Sequence, residues 1–380
     1  AAPNMLSFRK TEGLRVDELP ALNGGYYYNP PDQAMCVGSG FIIEGVNLGW
    51  KIFNETTGAV ISTISCNNFY GIVESTLTWS DPICLFDAST NRFFTGIMLF
   101  GTTTDPRAYI VLNMNTVVGS VTTWKSWRIQ TSPNSCGSVA SCFDDYPALG
   151  IDDNGVYVTT NVFGDLASRF FQFSRIWAMS KSQMIAQAAS PNVVDLRSTG
   201  GGFSFQVHLL PPGQPSSSAN GGTAYVMLTS GSLYFFAIYN TSSLSNPSPG
   251  LKVSSMQYIA ISSYSSPPSA GIPARSTSDG NCYSTTATYV NWDQGDTRLS
   301  NVYYANGNIY GMFNVFGAST RGDIRLAVIR PSVSGTTYTA SLVSDTTIRA
   351  GDLNTTLTRA SVAVAANGNG VITALLASSS

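Results

Sequence analysis

Apolar and polar residues alternate along this chain in short, strand-length bursts set off by Gly, Pro, Asn and Asp, and they fall almost nowhere at helical spacing. The clearest pair of bursts flanks Asp152-Asp153-Asn154-Gly155. Runs 148–151 and 156–160 read as a hairpin, with Asn154-Gly155 as a type I′ turn in which both central residues need positive φ.

Runs 40–46, 49–53 and 59–64 make a first meander, and 83–87, 92–100, 107–112 and 124–129 a second set. The hairpin is joined by 169–177 and 193–196 to form a third set. Runs 203–207, 223–228, 233–239 and 251–259 form the fourth. A fifth comprises 299–304, 308–315, 325–330 and 338–343, with a turn at Asn306-Gly307. The sixth has only 360–365 and 371–376, joined through Asn367-Gly368-Asn369-Gly370. Residues 181–189 are the only helix-like stretch.

Sets of about four strands, recurring roughly every 45 to 60 residues, predict an all-β chain built by radial repetition: a β-propeller of about six blades in a single domain spanning 1–380. A sheet exposed on both faces cannot stand alone, whereas neighbours stacked about an axis cover one another. The runner-up is one or two β-sandwiches, which predicts a boundary linker. The Ser-, Pro- and Gly-rich stretch 262–280, otherwise a surface excursion, is the only candidate. Because the sixth set is short, residues 1–38 are expected to lead in and close it, since an unfinished ladder keeps open edges.

At 380 residues and 43% hydrophobic content the chain can bury a large core, while charged residues reach only 11% against roughly 25% in ordinary soluble domains. The surface is therefore expected to be Ser, Thr, Asn, Gly and sugar. With net charge −2 and no basic run, nucleic acid and anionic membrane are not expected partners. No apolar run has the length of a membrane span.

The start Ala1-Ala2-Pro3, without Met, is the small-residue end a signal peptidase leaves. Six cysteines are disulfide candidates: Cys136 and Cys142 bracket a short loop and could close a local bridge, while Cys36, Cys66, Cys84 and Cys282 leave their pairing open. Asn54, Asn240 and Asn354 each begin an Asn-x-Ser/Thr sequon. Together these predict a secreted glycoprotein.

Three segments then carry a resemblance. Asn29-Pro30-Pro31-Asp32 leads into Cys36-Val37-Gly38-Ser39-Gly40-Phe41 and on to Asn47; Asp81-Pro82 is followed by Phe86-Asp87 and Arg92-Phe93; and Asp145-Tyr146-Pro147-Ala148-Leu149-Gly150 comes third. With Gly295 to Leu299 and 361–370, they resemble a largely uncharacterised family of secreted β-propeller-like proteins over roughly 29–380. The resemblance implies the fold and an extracellular setting, and brings no established catalytic residues. Relatives continue past the position matching Ser380, so this chain is expected to be a fragment or to have its last sheet completed by another segment. The cysteines lie outside the shared pattern.

Chemistry is sparse by comparison. His208 is the only histidine, so a His-rich metal centre is excluded, and no Gly-x-Ser-x-Gly elbow exists for a triad. His208 reads as a strand-end residue with a backbone partner. Asp144-Asp145 and Asp152-Asp153-Asn154 are the densest carboxylates and could gather around a hard cation such as Ca²⁺, although turn chemistry explains them better. Glu44, Glu55, Glu74, Asp87 and Asp296 stand singly, and Asp296 is placed to pair with Arg298. Gly200-Gly201-Gly202 precedes a strand and not a helix, which argues against a phosphate loop. Tyr26-Tyr27-Tyr28 could stack on sugar rings or anchor a protein.

The expected role is a non-catalytic binding or structural module of an extracellular or cell-surface assembly, with other extracellular subunits, copies of itself or glycans as partners. The competing class is a carbohydrate-active enzyme, a glycoside hydrolase or polysaccharide lyase, with its site in the axial funnel. Paired carboxylates there would favour the enzyme.

Overall fold

The computed structural model describes residues 13–15, 18–23, 32–102, 104–132, 136, 141–164, 170–198, 202–267, 270–273, 289–292, 295–317, 321–351 and 355–378. The fold is all-β with several four-stranded antiparallel sheets. After a short helix α1 (Leu19–Asn23), the first sheet runs in order β1 (Gln33–Gly38), β2 (Phe41–Val46), β3 (Gly49–Asn54) and β4 (Val60–Ser65). Helix α2 (Cys66–Tyr70) leads to the second sheet, β5 (Thr78–Asp87), β6 (Arg92–Phe100), β7 (Ala108–Asn115) and β8 (Trp124–Ser132). The third holds β9 (Cys142–Ile151), β10 (Gly155–Gly164), β11 (Phe171–Ser180) and, after α3 (Lys181–Ile185), β12 (Val193–Arg197).

A fourth sheet has β13 (Gln206–Val207), β14 (Thr223–Thr229), β15 (Leu233–Tyr239), β16 (Lys252–Val253) and β17 (Gln257–Ile259), the last two both on β15. Strands β18 (Ala270–Pro273) and β19 (Tyr289–Trp292) pair with each other. The fifth sheet is β20 (Leu299–Ala305), β21 (Asn308–Phe316), β22 (Gly322–Ser334) and β23 (Thr337–Ile348); β24 (Thr355–Val364) and β25 (Gly370–Ser378) make a final pair.

The chain divides into two compact units, one of Ala1–Leu149, Thr160–Arg175 and Lys181–Pro191, the other of Gly150–Thr159, Ile176–Ser180 and Asn192–Ser380. In the first, Ile43, Trp50 and Ile52 of one sheet pack with Phe93, Ile97, Leu99 and Val111 of the next. In the second, β14 is buried along its whole length because its two faces serve two cores. Ala224, Val226 and Leu228 join Tyr157 and Ile176, whereas Tyr225 and Met227 join Val302, Phe313 and Ala327. Beyond the fifth sheet, Ala360 and Val362 of β24 cover Met312 and Ile324. Central strands therefore read as near-continuous apolar runs, which is what burial on both faces requires.

Several expectations are corrected. Gln33–Gly38 does not partner the last strands: it pairs with β2 through a tight turn at Ser39 (φ 50°) and Gly40 (φ 84°), the local hairpin being the nearer partner. Asn154-Gly155 is not a type I′ turn, because neither residue has positive φ. The Asp152 carboxylate instead accepts from the backbone N–H groups of Asn154 and Gly155, closing an Asx-type turn. Gly155 is needed for space, since a Cβ there would lie 2.6 Å from the Tyr157 ring. Asn306-Gly307, with φ of 48° and 71°, is the positive-φ pair that its sequence predicts. Helix also occurs outside 181–189, at α1 and α2, and the stretch 262–280 contains β18.

Two disulfides form, Cys36–Cys84 and Cys136–Cys142. Cys66 is not in one: it is buried at the start of α2, its Sγ faces the Asn47 carbonyl, and burial pushes its thiol far up. Cys282 lies outside the described residues. Loop-closure entropy predicts that opening the 48-residue separation by Cys84→Ser costs about 4 kcal/mol, and opening the 6-residue one by Cys142→Ser about 2 kcal/mol. Urea unfolding of the two variants measures the difference. Among the described residues no helix is long and apolar enough to cross a membrane.

Candidate functional site

Most acids that stand singly in the sequence have structural partners. Glu44 accepts from the Leu14 N–H at 2.8 Å, Glu74 meets Arg107 and Arg128, and Asp296 takes Arg298 Nε at 2.6 Å. Asp87 binds Lys181 Nζ at 2.7 Å in a buried pair, with Ser89 and Thr90 donating to the same carboxylate. Asp144 is paired with the fully buried Arg175 and accepts from Thr160 Oγ1 at 2.6 Å. Asp152 is spent on its turn and on the Tyr157 hydroxyl. Asp144, Asp152 and Asp153 are thus engaged by protein donors, and among the described residues no three His, Cys, Asp or Glu are grouped as metal ligands.

His208 is fully buried, with Nδ1 accepting from the Tyr225 N–H at 2.8 Å and its ring 5.7 Å from those of Tyr225 and Tyr304. Burial pushes its pKa down to about 4. It is the strand-end residue with a backbone partner that its sequence context implies, and the lone pair on Nδ1 is not available to activate a nucleophile.

One cluster differs. Asp32 precedes β1, Asp81 lies in β5 and Asp145 in β9, each strand being the first of its sheet. Asn47, in the β2–β3 turn, clamps Asp32: its Oδ1 accepts from the Asp32 N–H and its Nδ2 donates to Asp32 Oδ2, both at 2.7 Å. The same Nδ2 reaches Ser80 Oγ at 3.2 Å, and Ser80 Oγ donates to Asp81 Oδ1 at 2.8 Å. On the other side the Tyr146 N–H donates to Asp81 Oδ2 at 3.3 Å. Burial first, then the negative charges of Asp32 and Asp145, push the Asp81 carboxyl up to about 7.

The backbone here is strained. Asp81 (φ 54°) and Tyr146 (φ 52°) are both left-handed, both precede proline, and Asp81 sits where the β5–β6 register slips. Such conformations cost roughly 1–3 kcal/mol each for residues with a side chain and persist only where surrounding structure enforces them. Asp81 and Tyr146 occupy equivalent places in a local repeat, Asp81-Pro82 with a turn-forming Asp87 and Tyr146-Pro147 with a turn-forming Asp152. That spacing is the signal by which the sequence could have aligned β5 with β9.

Among the other sequence candidates, Asn54 and Asn240 stand at the ends of β3 and β15, while Tyr26 to Tyr28, Asn354, Gly200 and Gly201 lie outside the described residues.

No protein-family model and no curated protein matches the chain. Among solved structures, an apocarotenoid oxygenase of Synechocystis is 8% identical with a TM-score of 0.43, covering 91% of this chain and 66% of its own. An exo-β-1,3-galactanase from Clostridium thermocellum is 11% identical with a TM-score of 0.36, covering 92% of this chain and 74% of its own. An endo-arabinanase from Bacillus licheniformis is 13% identical with a TM-score of 0.33, covering 78% and 92%. The chain spans 66% of the length of the oxygenase, and likeness at these scores carries no argument about its chemistry.

Proposed function

We propose that this is an extracellular β-propeller of about six blades whose leading strands present an acid–base site for hydrolysing a neutral polysaccharide. Within the first unit the leading strands β1 and β5 are tied by Cys36–Cys84. Within the second, Leu209, just past β13, donates to Val302 of β20 at 2.7 Å and accepts from Tyr304 at 3.0 Å. Adjacent leading strands and sheets buried on both faces are what stacked blades require. The two disulfides support the extracellular setting, as do the motif residues Asp32, Asp81 and Asp145, which belong to the resembling family's pattern.

The observation that carries the chemistry is Asp81. A carboxyl that keeps its proton near neutrality between two other carboxylates is the arrangement that separates a general acid from its partner base. Asp81 is assigned as the acid, Asp145 as the partner carboxylate, and Asp32, held by Asn47, as a charge that adds to burial in keeping Asp81 protonated. A chain with 11% charged residues suits an uncharged substrate. The test is hydrolysis of a panel of neutral polysaccharides by the purified chain and by Asp81→Asn and Asp145→Asn.

A second reading, the non-catalytic module of an assembly, is favoured by β25, whose Val371 and Leu376 are 67% and 66% exposed. Under that reading no member of the panel is cleaved and Asp81→Asn alters stability alone.

A further inference from the structure

We infer that the exported protein carries an N-linked glycan on Asn54 and none on Asn240, although both begin a sequon. The inference rests on the extracellular reading and is independent of the hydrolase assignment.

Asn54 stands at the end of β3, in the turn to β4, with Glu55, Thr56 and Thr57 exposed. Its Oδ1 accepts from the Thr57 N–H at 2.8 Å and from Thr57 Oγ1 at 3.0 Å, which fixes the side chain by its oxygen. The turn is closed through the backbone, Gly58 N–H to the Asn54 carbonyl at 2.8 Å and Asn54 N–H to Ala59 at 2.9 Å. No acceptor among the described residues holds Nδ2. A substituent on that nitrogen therefore leaves every bond of the turn in place.

Asn240 uses the opposite atom. Its Nδ2 donates to the Gly250 carbonyl at 2.8 Å, pinning the loop from the short helix of residues 241–245 to β16. The residue is left-handed (φ 60°), its carbonyl accepts from Ser243, and its Oδ1 lies 3.0 Å from where a Cβ on Gly221 would be. The next sequon residue, Thr241, is fully buried and accepts from Asn154 Nδ2 at 2.9 Å. A sugar on Asn240 Nδ2 leaves that nitrogen a single N–H and sets a bulky ring beside Gly250, where even a Cβ would lie 3.3 Å from Nδ2, and beside the buried Thr241, which opposes closure of this loop.

The transfer joins the amide nitrogen to the anomeric carbon of an oligosaccharide carried on a lipid pyrophosphate. The bond from that carbon to the pyrophosphate oxygen breaks, the lipid pyrophosphate leaves with the electron pair, and the amide gives up one proton. Of the two sequons among the described residues, Asn54 is the one that offers a nitrogen whose folded surroundings admit the product.

The test is to pass the full chain, behind a signal peptide, through a eukaryotic secretory pathway and read both sites in the glycopeptides. Expected are near-complete occupancy at Asn54, little or none at Asn240, loss of one glycan's mass in Thr56→Ala, and no change of glycan mass in Ser242→Ala. An unmodified Asn54, or a folded product with Asn240 occupied, overturns the inference. Failure of the chain to be exported would count against the extracellular reading instead, and the Asn54 glycopeptide from the cell fraction would still decide that site.

Discussion

Asp81→Asn should fold and lose about two to four orders of magnitude in polysaccharide hydrolysis, the usual contribution of a positioned general acid. The amide keeps the size of the side chain and can still accept from Ser80 Oγ or the Tyr146 N–H, but it cannot deliver a proton to a leaving oxygen. Under the proposed assignment the active form is the protonated one, so activity should fall as pH rises past about 7, where Asp81 ionises.

Stability has a matching signature. Because Asp81 holds its proton more tightly when folded than at the ordinary value of 3.8, the folded state binds the extra proton between that value and about 7. Its contribution is therefore greatest at low pH and declines as pH rises through that window. Asp81→Asn should flatten the decline in urea-unfolding curves collected between pH 4 and 8.

A large loss of stability is expected from Asp345→Ala. Arg325 of β22 is 5% exposed and Asp345 of β23 8%, and the two are joined by two parallel hydrogen bonds, one of 2.6 Å. Asp345 also accepts from the Ser262 N–H at 2.8 Å, which holds the segment after β17. Removing the carboxylate leaves a guanidinium buried without its counter-ion, a change worth roughly 3–5 kcal/mol. Arg325→Met combined with Asp345→Leu should recover much of that loss, because no charge is then left unpaired.

The pH dependence of this pair is opposite in sign to that of Asp81. Burial pushes the Asp345 carboxyl up, but Arg325 and Ser262 outweigh it and hold it below the ordinary value. Its stabilisation is present above that value and is lost as pH falls through the lowered one.

The strands were legible because each apolar run ends in turn chemistry and is too short for a helix. Ile309 to Val315 and Ala224 to Leu228 are found almost where their patterns put them. The turns were legible only in part. Asn306-Gly307 keeps its positive-φ pair with the Asn306 N–H donating to Gln214 Oε1 from a distant loop, whereas Asp152 offers the Asn154 and Gly155 N–H groups a carboxylate inside the turn itself.

Pairing between distant elements was the least visible. Gln33–Gly38 looks like any strand able to finish the last sheet, and only the Ser39-Gly40 turn commits it to β2. The candidate site failed to show for the same reason. Asp32, Asp81 and Asp145 each stand alone in the sequence, and no local spacing joins them. Asp32 and Asp81 are brought together by β1 and β5, which Cys36–Cys84 ties, and Asp145 adjoins Asp81 through the Tyr146 N–H, where strained residues precede Pro82 and Pro147. His208 is the lone histidine, and its Nδ1 is held by the Tyr225 N–H.

Asp81 is predicted to keep its proton near neutrality because it is buried and because two further carboxylates face it. Carbon-13 NMR titration of the Asp81 side-chain carboxyl in the intact chain measures this directly. The predicted midpoint is about 7, moving down in Asp145→Asn; a midpoint near 3.8, unmoved by that substitution, would contradict the proposed site.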